Sequence, residues 1–462
     1  MNSPASFDHI GGGAVGFEYN YSPGDDIFLN IKNSDFIGNT VSQPPQIGSF
    51  NTYGGGALYA QAVSGGVSVD SCRFIQNFTG YGNGGALFMD LANDITFGNF
   101  KLSNCEFNNN QSIWNGGAVY IPDNALDNLE FSKNKFNSNF ANQSAGAIFI
   151  SSSNFFADIS MDSSDFISNT TQGPGGAVYF PQGEDVSFED CLFQENSSTL
   201  SDGGAIASSN PGIGDVFLRK CRFIGNNCRG LGGAVNNSAE NVIAVQTLFD
   251  QNSASGFSAK GGAIYSKGME LVNCIFSENT TVPSGSAVYA EGASTIANCT
   301  FYNNAPGSQI HFDFVSNMEN CIVWTTLGSP SVQLSNPDLF VSINNNIIHG
   351  GFEGNNNKEI DPRFLDPDNG DFRLSTCSPG VNSGNNGFIS AFTNTDFDGN
   401  VRIFGNTVDM GAYENGLALG DENHYYVRAG TDGDDQNQGI SWDCAFSTIE
   451  KAFEAADELD TI

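Results

Sequence analysis

One short motif recurs along most of this chain and limits what it can fold into more than any other feature. A phenylalanine is followed three residues later by asparagine, then by a few polar residues, then by Gly-Gly-Ala or a near variant and two strand-forming residues. The phenylalanines are Phe36, Phe74, Phe107, Phe136, Phe166, Phe193, Phe223, Phe249, Phe276 and Phe301. Asn39, Asn77, Asn110, Asn139, Asn169, Asn196, Asn226, Asn252, Asn279 and Asn304 follow at the fixed offset. The matching alanines from Ala57 to Ala287 are spaced by 24 to 32 residues. A period of this length means a solenoid, whose units bury apolar surface only against their neighbours.

The unit Asn104–Ile121 shows how one copy folds. Cys105 and Phe107 are two apart, so a strand points both to one face and Glu106 to the other. The Asn and Gly residues that follow are turn formers. Gly116-Gly117 then leads into a second strand, where Val119 and Ile121 share a face. A third strand is expected at Leu129–Phe131 and, in a later copy, at Val186–Phe188. Three short strands per copy predict an all-β, right-handed parallel β-helix of about ten or more coils, with a short mixed C-terminal piece. Phe107, Phe136, Phe166 and Phe193 should stack as an internal column. Asn110, Asn139, Asn169 and Asn196 should form a ladder in which each amide bonds the next.

Composition narrows the function. Seventeen basic against 51 acidic residues leave a formal charge of −34, which repels nucleic acid and anionic lipid. Only 15% of residues are charged and the apolar ones recur in register, which argues against disorder. Cys72, Cys105, Cys191, Cys221, Cys274, Cys299 and Cys321 share one repeat position, which Ser34, Asn134, Ser164 and Thr247 fill elsewhere. A place that tolerates Cys, Ser, Thr and Asn predicts an interior stack of small groups, with disulfides between neighbouring coils as the alternative. The run of about 18 apolar residues that a membrane-spanning helix needs is missing. Met1-Asn2-Ser3-Pro4 has neither the basic nor the apolar part of a secretion signal, and it reads as the tail of a severed coil. The expectation is a segment of a longer polypeptide.

The residue after each Gly-Gly-Ala-(Val/Ile/Leu) step is mostly aromatic: Tyr59, Phe88, Tyr120, Phe149, Tyr179, Tyr265 and Tyr289, with Ala207 and Asn236 in two copies. The preceding aliphatic is the better core candidate, so the aromatics are expected outside, as a solvent-facing strip that could hold a glycan.

The paired motifs resemble the repeats of polymorphic outer-membrane proteins and of related bacterial right-handed β-helix proteins of the pectin-lyase-like superfamily, over residues 11–305. The stretch from about 340 to 415 contains Asp361-Pro362-Arg363-Phe364, Asp371-Phe372-Arg373-Leu374, Ser378-Pro379, Asp396-Phe397-Asp398-Gly399-Asn400 and Val408-Asp409-Met410-Gly411-Ala412-Tyr413-Glu414. It is similar to the choice-of-anchor tail of secreted bacterial β-helix proteins, which closes the last coil. From His424 onward, Tyr425-Tyr426-Val427-Arg428, Ser441-Trp442 and Ala445-Phe446 resemble the opening strand and cap of another such β-helix. Ser447-Thr448-Ile449-Glu450 reads as a capping box, with Phe446, Ile449, Phe453, Ala456 and Leu459 on one helical face that should be poorly buried. The organisation expected is therefore coils over 1–340, a closing segment over 341–418 and the start of a further β-helix over 419–462.

The resemblance also implies enzymes, since pectate lyases and polygalacturonases share this fold. Lyases of this kind need Ca²⁺-binding carboxylates beside an Arg or Lys base, and the basic residues of the coils recur near turns without such a cluster. Asn394-Thr395-Asp396 and Asp434-Asp435 echo polygalacturonase motifs, but the Gly-His-Gly and Arg-Ile-Lys partners are missing from the sequence. His9, His311, His349 and His424 are scattered without metal-ligand spacing. No catalytic residue is assigned. Asp396, Asp398, Asn400, Asp432 and Asp434 lie in acidic turns of the kind hard cations favour and are candidate ligands for structural Ca²⁺. The reading is an extracellular or bacterial cell-surface β-helix stalk or adhesin that binds a polysaccharide or cell-surface glycan and does not cut it. The alternatives are a polysaccharide lyase or glycoside hydrolase and a purely structural spacer. Nucleic acid is not an expected partner, whereas further β-helix domains of the same polypeptide are.

Overall fold

The computed structural model describes residues 13–18, 28–42, 54–61, 66–90, 98–122, 126–151, 158–182, 185–208, 214–282, 284–328, 330–405, 407–416, 424–430, 433–437 and 439–456. The chain divides into two compact units: residues 1–242 with 251–267, and residues 243–250 with 268–462. Each is a parallel β-solenoid, as the repeat predicts.

In the first unit every copy of the motif becomes one coil. Phe107 is the inward residue of the strand Glu106–Asn108, between half-buried neighbours. Asn109 then turns the chain in the left-handed region, at φ 54°, and delivers Asn110 into the interior. A two-residue strand, Gln111–Ser112, leads to Gly116, whose φ of +63° is glycine's own territory. At Gly117 a β-carbon would lie 2.0 Å from the carbonyl oxygen of residue 146 one coil on, so the close approach of the coils here requires glycine at this position. Val119–Ile121 and Leu126–Ser132 complete the coil, with Leu129 and Phe131 inward.

Consecutive coils are in register. Phe36, Phe74, Phe107, Phe136, Phe166, Phe193 and Phe223 pair in order along one parallel sheet. Their rings stack face to face, with centroids 4.7 to 5.0 Å apart and planes within 9° of parallel. The second unit repeats the arrangement with Phe249, Phe276 and Phe301, then substitutes Val323 and Ile348. Each stacked pair contributes roughly 0.5–1.5 kcal/mol beyond its area burial.

The asparagines do more than stack. Asn110 Nδ2 donates to Asn139 Oδ1 at 2.9 Å and to the Phe74 carbonyl at 2.8 Å, while Asn110 N–H donates to the same Asn139 oxygen. The pattern repeats at Asn139, Asn169, Asn196 and Asn226. One oxygen therefore serves a backbone and a side-chain donor of the coil below. The cysteine position also behaves as expected: Cys72, Cys105, Cys191, Cys221, Cys274, Cys299 and Cys321 are free and buried, as is Cys228 at another place in its coil. Cys105 and Cys321, for instance, turn their thiols to the carbonyls of Ser103 and Glu319. Burial pushes the Cys105 thiol up to about 12, so it stays protonated.

The outward residue just before each core phenylalanine distinguishes the two units. In the first it reads Asp35, Arg73, Glu106, Lys135, Asp165, Leu192 and Arg222, alternating in sign wherever it is charged. Arg73 pairs with Asp35 at 3.1 Å. In the second it reads Leu248, Ile275, Thr300, Ile322 and Ile347, because residues 360–415 cover that side. Leu374, Val381 and Met410 pack on Ile322 and Ile347, and Phe372 and Ala412 on Ile275 and Tyr302. Thr300 Oγ1 accepts from Ala412 N–H, and Asn320 exchanges hydrogen bonds with the Asn385 backbone. The segment expected to close the last coil thus lies along the flank of several coils. A short antiparallel hairpin, Phe364–Asp366 with Asp371–Leu374, is part of it.

Beyond it, a disulfide joins Cys377 to Cys444. The helix Ile449–Ala455 starts one residue later than the capping box predicts. Thr448 is the N-cap and accepts from Lys451 N–H, while Asp435 accepts from the N–H groups of Ser447 and Thr448. A carboxylate from outside the helix thus does the work expected of Glu450. Ala452 is the helix's buried residue, and Ile449 and Phe453 are exposed; Leu459 lies outside the described residues.

Replacing Asn139 by alanine strands donors and acceptors on two coils at once. It should cost about 2–4 kcal/mol, against less than about 0.5 kcal/mol for the exposed Asn142→Ala. Urea unfolding of the two variants compares them directly.

Candidate functional site

The aromatic position was expected to face solvent, and it does not. Tyr59, Phe88, Tyr120, Phe149 and Tyr179 pair in register, with ring centroids 5.0 to 5.7 Å apart. Tyr59, Phe88, Tyr120 and Phe149 are nevertheless buried, and Tyr179 is half-buried. Tyr265 and Tyr289 are buried too, the former under the Lys260 ammonium at 5.9 Å. The aliphatics Leu58, Leu87, Val119 and Ile148 beside them are fully buried as expected, so both faces of this strand are covered. The reason is the turn before it. A β-carbon at Gly54 would sit 2.2 Å from Cδ2 of Phe88, and Ala145 packs into the same cluster. Glycine and alanine let the turn backbone close over the ring edges. Tyr59, Phe88, Tyr120, Phe149 and Tyr179 thus form a second buried column in the first unit rather than a solvent-facing strip.

In the second unit the same strand position has a different character. Tyr289 pairs with His311 and His311 with Gln333 along the sheet. The Tyr289 and His311 rings stack at 4.4 Å, within 4° of parallel. Tyr289 Oη donates to Asp313 Oδ2 at 2.7 Å. His311 Nε2 lies 3.0 Å from Asp313 Oδ1 and 2.7 Å from Ser335 Oγ, and the Ser335 hydroxyl donates to the same Asp313 oxygen. Burial raises the Asp313 pKa, but the hydroxyls of Ser335 and Tyr289 and the imidazole outweigh it, so the group titrates below the usual carboxylate range. Four polar groups thus converge, with Ser335 exposed and Asp313 partly so.

This is not a relay for a nucleophilic serine. A triad needs the acid on one imidazole nitrogen and the serine on the other, whereas here both meet Nε2. What the arrangement offers is an ionised carboxylate flanked by a hydroxyl, held rigidly on a sheet: a hydrogen-bonding station for a hydroxyl-bearing ligand. Histidine spacing could not reveal it. The register that aligns His311 under Tyr289, with Asp313 two residues on, was the available signal.

The candidate cation ligands are placed differently from one another. Asp396 is fully buried, and its oxygens accept from Asn400 N–H and Nδ2 and from Glu414 N–H. Asp398 and Asn400 are exposed. Asp434 pairs with Arg363 at 2.5 Å, and Asp432 lies outside the described residues. Among the described residues no three His, Cys, Asp or Glu side chains are grouped to hold a metal ion. Instead Asp396, Asp409 and Glu414 surround the buried Arg402, whose Nη2 donates to the carbonyls of Asp409 and Gly411. Burial first, and Asp409 second, lift Glu414 to about 7.

Comparison with known proteins agrees with the fold. Residues 146–313 match the profile of a right-handed β-helix region, and residues 104–122 match the Chlamydia polymorphic membrane protein repeat. The solenoid is thus similar to right-handed parallel β-helix proteins and carries a repeat of the polymorphic membrane type. Among solved structures, the crystal structure of pectate lyase Pel9A aligns over 84% of this chain and 87% of that one, with 14% identity and a TM-score of 0.35. At that level nothing about activity transfers. No curated protein matches the sequence.

Two outcomes are expected. Tyr120→Ala removes a ring from between Phe88 and Phe149 and should cost about 3 kcal/mol or more, read by thermal unfolding. The second concerns Glu414. Between its ordinary value near 4.5 and about 7 the folded state keeps a proton that the unfolded chain has released, so stability falls as pH rises through this window. The unfolding temperature should therefore drop between pH 5 and pH 8, and Glu414→Gln should flatten the drop.

Proposed function

We propose that this chain is an extracellular or cell-surface β-helical scaffold that binds a hydroxyl-rich ligand, a glycan, without cutting it. The observation that carries this reading is the filled, in-register interior. Phe, Asn and small-residue columns run through the coils with like on like, so the chain's regularity goes into rigidity. Its exposed polar chemistry is left to side chains projecting from the sheets. The Cys377–Cys444 disulfide supports an oxidising compartment, and the polymorphic membrane protein repeat supports a surface role. Net charge of −34 favours neutral or cation-bridged ligands over polyanions. With the aromatic column buried, the station for ligand hydroxyls is the Tyr289, His311, Asp313 and Ser335 cluster. The meeting of Asp313 and Ser335 at the same His311 nitrogen suits holding a ligand better than activating a nucleophile.

The test is incubation with a panel of neutral and acidic polysaccharides plus Ca²⁺, recording both retention and release of unsaturated or reducing ends. Retention without product is expected, and Asp313→Asn with Ser335→Ala should weaken it about tenfold. Product formation would overturn the reading in favour of a lyase or hydrolase. The absence of both retention and product would leave a structural spacer.

A further inference from the structure

A lysine ends a column that is otherwise apolar. After Leu248, Ile275, Thr300, Ile322 and Ile347, the bridge from Ile347 to Lys358 makes Lys358 the next outward residue on the sheet. The flanking segment covers it only in part, leaving it half-buried where Ile322 and Ile347 are fully buried, and its Nζ donates to the Pro379 carbonyl at 2.9 Å. Among the described residues no carboxylate pairs with this ammonium, and burial lowers its pKa to about 8. An aliphatic residue would fill the position without burying a charge.

Lys358 borders a cavity of about 500 Å³, within the size range of pockets that take small organic ligands. Ile360, Val381, Ile440 and Phe446 give it apolar wall, and Lys451, paired with Glu454 at 3.1 Å, also borders it. The one acid on the wall, Asp435, is engaged at both oxygens by Ser447 N–H, Thr448 N–H and Thr448 Oγ1. The pocket is therefore part-apolar, and among the described residues its Lys358 ammonium has no carboxylate partner although the chain carries a charge of −34.

We infer that this cavity binds a small monocarboxylate with an aromatic or branched aliphatic body. The carboxylate lies on the Lys358 ammonium, and the apolar body rests against Ile360, Val381, Ile440 and Phe446. This site is separate from the Asp313 cluster and does not depend on it.

The probe is 2-naphthoate, titrated calorimetrically into the full chain, with 2-naphthylmethanol as the uncharged control. Naphthoate should bind at one site and the alcohol about tenfold more weakly or worse. Lys358→Met should erase that preference, while Lys451→Met changes affinity by less than about threefold. A measurement on the unaltered chain guards against a variant that fails to fold: naphthoate should slow reductive methylation of Lys358, read by peptide mass, and leave the exposed Lys101 and Lys133 untouched. Equal affinity for acid and alcohol, undiminished binding by Lys358→Met, or unprotected Lys358 would each overturn the proposal.

Discussion

The asparagine amide that bridges one coil to the next is the interaction on which the rest depends. It is buried, so its donors and acceptor must be satisfied, and the partners that satisfy them are the same residue one coil away and the phenylalanine carbonyl beyond. A slip of one residue would point every strand's apolar set outward and leave these groups unmet. Stacked rings favour the same alignment but tolerate sliding, whereas a hydrogen bond of 2.9 Å does not. The glycines of the Gly-Gly step then admit the close approach that this spacing requires.

A filled interior also decides where chemistry can occur. In the coils, Phe136 or Asn139 cannot be exchanged for a reactive group without stranding its neighbours above and below. Chemistry is left to outward positions and to the irregular segment on the flank of the second unit. The Asp313 cluster arises where the buried aromatic column gives way to histidine, and the Lys358 cavity where an aliphatic column gives way to lysine. Both are departures from a repeat, and each was visible only against the regularity around it.

Much of the architecture was legible in the sequence because the repeat states it many times. Phe107, Phe136 and Phe166 identify one column by recurrence alone, and Cys105 beside Asn134 and Ser164 reveals a position that accepts small polar groups. The burial of Tyr120 was not legible. It depends on how closely the glycine turn folds back over the ring, which side-chain alternation does not report. The placement of residues 360–415 depends on contacts such as Thr300 with Ala412, far apart in the chain. A trace of it was present, since the outward position changes from Arg222 and its charged predecessors to Leu248, Ile275 and Ile322. That change is a signature of a face about to be covered. At the acidic loop the sequence shows the carboxylates but not their partners, since it does not report that Asp396 accepts from the N–H groups of Asn400 and Glu414.

The alternating column Asp35, Arg73, Glu106, Lys135 and Asp165 has a consequence for how such a chain can lengthen or shorten. Deleting one internal coil would bring two residues of like sign face to face, as Arg73 against Lys135 once Glu106 is gone. Deleting two leaves the order of signs intact. Over the stretch from Asp35 to Asp165 the ladder therefore imposes a parity, and coils there are gained or lost most easily in pairs.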